Sequence, residues 1–415
     1  MGPNRINNRS VHAVQRHDVP TRVDTPQTLY IEPEPQSAAP ERVGLAAASR
    51  DAAPVVRAGA DIALDTGLLP RDGLSPGERV VINGTEFKLG GRRAFALGAM
   101  EGTGPRNRRK RVIHVVIEGP DGSFGRTARV ELPVGNTLWY HNFETLLALP
   151  SDNGARLFIS DGSTSYGVAV ASSGAAGDTQ ALDVIAGPGI FAHFGKDAER
   201  RLALFNKDGF VRVYGVSSSG ALHLQSKLPS RQTGPMVFEC LKAVDLFGRG
   251  EKGLLLANGL FYREGENGEW STRDLGFEPS FNASIAVGDV DGDGKHELVL
   301  VDATHYIDFP GDLVVYDLEN ERARLRHRLS AEHNHPQGVQ LVSFGTSDSA
   351  TVIVPPQEGR CGATLFDHEA GHFVQQTLEV HGETGSFYAH PTTDGSGFLT
   401  FTDRGAVIVT ERPDT

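Results

Sequence analysis

The stretch Asp289-Val290-Asp291-Gly292-Asp293-Gly294-Lys295-His296-Glu297 sets carboxylates at loop positions 1, 3, 5 and 9. With the Lys295 backbone carbonyl at position 7, these groups offer the hard-oxygen set that calcium prefers. Gly292 and Gly294 let the chain turn tightly enough for alternate side chains to face inward. An EF-hand would need a bidentate Glu at position 12, where Leu300 stands, and strands rather than helices flank the loop. The alternative is a solvated acidic turn whose charges repel one another.

A second group of chemistry-bearing residues is Tyr140, His141, His333, His335 and His381. Histidine suits proton transfer near neutral pH and transition-metal ligation. A third candidate, His368-Glu369-Ala370-Gly371-His372, matches the HExxH zinc-protease signature, which needs both histidines on one helical face. Gly371 and the β-rich flanks oppose a helix, and Gln375 and Leu378 stand where the longer metzincin signature needs Gly and His. A protease site is therefore rejected. The run from Arg106 to Arg111 holds five basic residues in six, either an anion-binding or nuclear-targeting patch or a solvated insertion. There is no Ser nucleophile elbow, phosphate loop or dinucleotide fingerprint.

Internal repeats supply the elements that must hold these residues. Residues 285–301 read as strand, acidic loop, strand. Residues 191–205 align with them, setting His193 on Asp289 and Asp197 on Asp293. Residues 244–254 also align, setting Asp245 on Asp289. With weaker copies over 146–160, 342–354 and 388–401, the loop starts fall near 148, 193, 245, 289, 343 and 389. A further unit fits around 94–119, its loop enlarged by residues 102–111. In the 245 copy Phe247, Arg249 and Gly253 replace three ligands; in the 193 copy His193, Gly195 and Arg201 do so. Neither copy is expected to bind metal, and Arg249 is either an internal cation or a plain surface residue.

Each unit reads as four short strands with period-two alternation between Gly/Asn/Asp/Ser turns, and no long helical pattern competes. Seven such units predict an all-β fold, a seven-bladed β-propeller of four-stranded antiparallel blades. The last unit stops after its third strand, 406–410, so another segment must close the ring, and residues 78–89 are the expected donor. The propeller is expected over 76–415. Residues 1–75 are read as a disordered tail, because the first 80 residues carry nine of the 23 prolines and a single aromatic, Tyr30. In the ring, Tyr140, His141, His333, His335 and His381 fall in loops entering the innermost strands, so they either converge on one central funnel or are histidines that surface loops simply tolerate.

Through Gly288-Asp-Val-Asp-Gly-Asp-Gly-Lys-His-Glu-Leu-Val-Leu-Val-Asp302 the chain resembles the FG-GAP/VCBS repeat family of integrin-like β-propeller blades. The motif is specific but strong in one unit of seven. The resemblance implies calcium (Ca2+) at Asp289, Asp291, Asp293 and Glu297 in a mainly structural role, stiffening a blade's outer hairpin. Some propellers of this kind are lyases or dehydratases with His and Tyr near the channel.

Composition narrows the partners. A net charge of −12 disfavours nucleic acid, and no apolar run is long enough for a membrane span. The two cysteines, Cys240 and Cys361, are far apart in sequence, which argues against a disulfide scaffold or a thiolate zinc site. The start of the chain does not read as a signal peptide, so a cytoplasmic location or signal-independent export is expected. A monomer is expected. Two functions remain open: a calcium-stabilised binding platform for a protein or carbohydrate ligand, or an enzyme of lyase, dehydratase or cyclase type.

Overall fold

A computed structural model of the chain describes residues 62–66, 69, 78–103, 109–133, 145–160, 164–182, 189–194, 200–206, 208–231, 240–250, 252–277, 283–302, 312–319, 322–330, 338–344, 349–355, 362–369, 371–379, 385–393, 395–402 and 405–411. They form twenty-eight strands in seven four-stranded sheets, every pairing antiparallel. The architecture is a seven-bladed β-propeller.

Blade 1 is β2 (Arg79–Leu89), β3 (Arg92–Glu101), β4 (Lys110–Glu118) and β5 (Phe124–Glu131), with β1 (Ile62–Thr66) preceding it in the chain. Blade 2 is β6 (Thr145–Ser151), β7 (Gly154–Ser160), β8 (Ser165–Ala171) and β9 (Gln180–Ala181). Blade 3 is β10 (Gly189–Phe194), β11 (Arg201–Asn206), β12 (Phe210–Val216) and β13 (Leu222–Pro229). Blade 4 is β14 (Leu241–Val244), β15 (Gly253–Leu256), β16 (Leu260–Glu264) and β17 (Trp270–Asp274). Blade 5 is β18 (Ala283–Gly288), β19 (Glu297–Asp302), β20 (Asp312–Glu319) and β21 (Arg322–Ser330). Blade 6 is β22 (Gln340–Val342), β23 (Thr351–Val354), β24 (Gly362–Glu369) and β25 (His372–Glu379). Blade 7 is β26 (Gly385–Pro391), β27 (Gly397–Thr402), β28 (Gly405–Glu411) and β1. The innermost strands β2, β6, β10, β14, β18, β22 and β26 lie side by side in a ring, with β26 returning to β2.

The closing strand is not the one expected. β1 pairs with β28, Ile62 opposite Glu411 and Thr66 opposite Val407, so the propeller begins by residue 62 and not at 76. Residues 79–89 are instead the innermost strand of blade 1. The reason is physical: this eleven-residue strand is nearly all buried and must fill the channel wall. The insertion at 102–109 accordingly joins the second and third strands of blade 1 and not its first two, which meet at the Gly90-Gly91 turn. Residues 1–61, most of the expected tail, lie outside the described residues.

Burial follows strand position. The third strand β4 is buried from Arg111 to Ile117, whereas the outermost β5 alternates half-buried and exposed. At the seam between blades 1 and 7 the backbone comes close: a Cβ added to Gly84 would lie 2.8 Å from both Leu97 Cδ2 and Phe401 Cε1. Leu97, Glu101, His114 and Arg129 share that face by strand register.

Here a buried polar network sits beside the apolar core. Glu101 Oε1 accepts from Arg79 Nε at 3.0 Å and from His114 Nε2 at 2.8 Å. Its Oε2 accepts from Arg129 Nε at 3.1 Å and Nη2 at 2.8 Å. Burial alone would raise the Glu101 carboxyl, yet His114, Arg129 and Arg79 hold it far below the ordinary carboxylate range. Burial pulls His114 below its ordinary value, opposed by Glu101 and helped by Arg79 and Arg126.

Replacing Glu101 by Gln leaves two guanidinium groups short of a counter-charge and should cost about 3–5 kcal/mol of stability, read by chemical denaturation. Because the folded-state pKa of His114 is depressed, its contribution is complete above about pH 6.5 and is lost as pH falls below that value. The stability difference between wild type and His114→Gln should therefore shrink on acidification from pH 8 to pH 5.5. A constant difference would show that His114 has the same pKa in the folded and unfolded states.

Candidate metal centre

The acidic loop leaves the end of β18 and re-enters the sheet at the start of β19, where Gly288 faces Glu297 in register. Sheet pairing therefore fixes the two ends, and the loop between them is shaped by its own carboxylates. Asp289 Oδ1 accepts the Gly292 N–H at 2.7 Å and Oδ2 the Gly294 N–H at 2.8 Å. Gly292 and Gly294 stand at φ 77° and 82°, in the left-handed region that glycine adopts without strain.

Three of the expected ligands come together: carboxylate oxygens of Asp289, Asp291 and Glu297 all lie within 4.8 Å of one another. Two oxygens bound to one calcium ion at about 2.3–2.6 Å lie no more than about 5 Å apart. The three donors thus fit a shared hard cation of that size. Glu297 is 2% exposed, and its Oε2 accepts the Val290 N–H at 3.0 Å. Burial pushes its carboxyl up to about 7, and Asp291, Asp293 and Asp289 push the same way against the Val290 hydrogen bond. A cation would relieve that cost.

The Asp293 side chain is engaged elsewhere. Asp293 Oδ1 accepts the Lys295 N–H and Oδ2 the Lys295 ammonium, each at 2.8 Å. Those bonds from Lys295 hold the Asp293 carboxyl below its ordinary value. Its carboxylate is not part of the converging group of three, and Lys295 is exposed.

Sequence reasoning missed Arg326. From β21 its Nη1 reaches Asp291 Oδ2 at 2.5 Å and Asp317 Oδ1 at 3.2 Å. No spacing rule ties this residue to the loop; a break in strand register brings it there. The candidate internal cation of the neighbouring blade, Arg249, instead lies over the Phe247 ring at 5.3 Å.

The loop is also tied sideways. His296 Nδ1 donates to the Asp245 carbonyl of blade 4 at 2.7 Å. The Asp289 carbonyl accepts the Ala350 N–H of blade 6 at 2.7 Å. One loop therefore joins three successive blades.

Tyr140, His141, His333, His335 and His381, the expected funnel residues, lie outside the described residues. The strands that follow them, β6, β22 and β26, are innermost strands of blades 2, 6 and 7. In the HExxH match, His368 is on β24 and His372 opens β25, with Glu369 opposite His372 in a hairpin. A hairpin replaces the helix that the signature needs. Of the basic run, Lys110 pairs with Glu131 at 3.1 Å, and buried Arg111 donates to the Pro133 carbonyl. No helix among the described residues is long and apolar enough to cross a membrane.

No protein-family model matches the chain. No curated relative matches it either. Among solved structures, the chain is similar to the periplasmic gluconolactonase PpgL of Pseudomonas aeruginosa, at 17% identity and a TM-score of 0.47. That likeness covers 72% of this chain and 85% of the other.

Proposed function

We propose that the chain is a calcium-stabilised β-propeller of FG-GAP/VCBS type that presents its central funnel as a binding platform for a protein or glycan. The observation that carries the calcium part is the buried carboxylate of Glu297, gathered with Asp289 and Asp291 within the span of one ion. These three side chains would hold the ion, and its charge would neutralise a loop that otherwise confines like charges. The sideways bonds to Asp245 and Ala350 support a structural role, since ordering the loop also orders its contacts with blades 4 and 6. The platform part is supported by the closed ring, whose inner-strand entries put a tyrosine and four histidines into three equivalent loops of the sequence.

Chelation with EDTA should lower the melting midpoint of wild type by about 2–4 °C if calcium is present near a hundred times its dissociation constant. Asp289→Asn should melt at the same temperature with and without EDTA. A wild-type midpoint indifferent to EDTA would show that the loop holds no ion.

The funnel reading is checked by replacing His333 and His335 together with Ala and screening glycan and metabolite panels for binding and turnover. Loss of binding with an unchanged melting midpoint supports the platform. Turnover by wild type that vanishes in the double variant would replace the platform with the lyase or dehydratase reading.

A further inference from the structure

The acidic loop of blade 5 faces a cation supplied by the chain itself. Arg326 is the extra residue of a β-bulge: Val315 pairs with His327 and Tyr316 with Leu325, leaving Arg326 without a cross-strand partner. A bulge breaks the alternation of side chains and re-aims the inserted residue. The same insertion occurs between the third and fourth strands of blades 1 and 3. There Thr127 and Gln225 are the extra residues. In blade 1 the bulged Thr127 is a contact maker, its Oγ1 donating to the Gly174 carbonyl of blade 2 at 3.1 Å. Among the described residues, blade 5 alone combines a bulged arginine with a converging carboxylate loop.

Both oxygens of Asp291 are engaged. Oδ1 accepts the Asp293 N–H at 3.0 Å, and Oδ2 meets Arg326 Nη1 at 2.5 Å. An ion that takes Asp291 Oδ2 must compete with the guanidinium for it. Arg326 has somewhere to go, since Asp317 Oδ1 lies 3.2 Å from the same nitrogen. Asp317 itself pairs in register with Glu297, so one guanidinium nitrogen already bridges Asp291 and a second carboxylate on the same blade, which remains its partner when Asp291 is taken by an ion.

We propose that Arg326 is the resident counter-cation of this loop: it neutralises Asp291 when no divalent ion is bound and yields that contact when one binds, which sets the affinity of the site. The proposal rests on the calcium reading above. It makes the loop tolerant of ion-free conditions at the expense of tighter calcium binding.

The test is calcium titration by calorimetry on chelator-stripped full-length wild type and Arg326→Gln, with melting midpoints measured in parallel. Arg326→Gln should bind calcium about tenfold more tightly, removal of a competing charge being worth roughly that factor. Its ion-free midpoint should fall, and its calcium-induced rise in midpoint should exceed that of wild type. Should Arg326→Gln not fold without the ion, Arg326→Lys, which keeps the charge but loses the guanidinium fork, should still bind severalfold more tightly. Equal or weaker calcium binding by both variants, beside a wild type that does bind, overturns the proposal and leaves the calcium reading standing. No heat and no midpoint shift in any of the three proteins overturns the calcium reading, and this proposal with it.

Discussion

A four-stranded blade has two largely apolar faces and cannot bury either by itself. Each sheet needs a neighbour on both sides, and the chain of neighbours ends only when it returns to its start. That demand explains the ring of seven innermost strands and the largely buried, eleven-residue β2. It also explains why a five-residue strand from near residue 62 travels to the far end of the chain to pair with β28. Without β1, blade 7 would be a three-stranded sheet with β28 as its open edge. Where the ring meets itself, Gly84 has no side chain because Leu97 and Phe401 already fill the space.

The same close packing makes buried charge expensive, and two carboxylates show opposite outcomes. Glu101 is ringed by Arg79, Arg129 and His114, and is held far below the usual carboxylate range despite its burial. Glu297 is buried as deeply but faces Asp289, Asp291 and Asp293, and is pushed up to about 7. The first arrangement is electrostatically complete from protein groups. The second gathers more negative charge than Arg326 offsets, and that imbalance is the strongest physical argument for an ion there.

Much of this was legible in the chain. Period-two alternation and recurring turn residues gave seven units; the loop starts near 245, 289 and 343 open the first loops of blades 4 to 6, while those near 148, 193 and 389 fall inside β6, β10 and β26, short of the first loops of blades 2, 3 and 7. Blade 1 was misframed by one strand because the closing segment, Ile62 to Thr66, is short and lies in a proline-rich, aromatic-poor stretch. Assigning 78–89 to closure then displaced the insertion at 102–109 by one loop. Within the acidic loop, spacing identified Asp289, Asp291 and Glu297 but not the turning away of Asp293, which depends on its own bonds to Lys295. Arg326 was invisible because a bulge is a fault in pairing between two strands, and neither strand records it alone.

The topology also sets the acidic loop at one end of its blade. β18 begins at Ala283 and ends at Gly288, where the acidic loop departs. A six-residue strand at about 3.3 Å per residue spans roughly 20 Å. An ion held by Asp289, Asp291 and Glu297 therefore lies too far from the entry end of β18 to ligate anything bound there. Its reach is mechanical, through β18 and through the bonds to Asp245 and Ala350 that connect blades 4, 5 and 6. An ion that orders the loop would therefore act on the rest of the propeller through these contacts rather than by ligating a bound molecule itself.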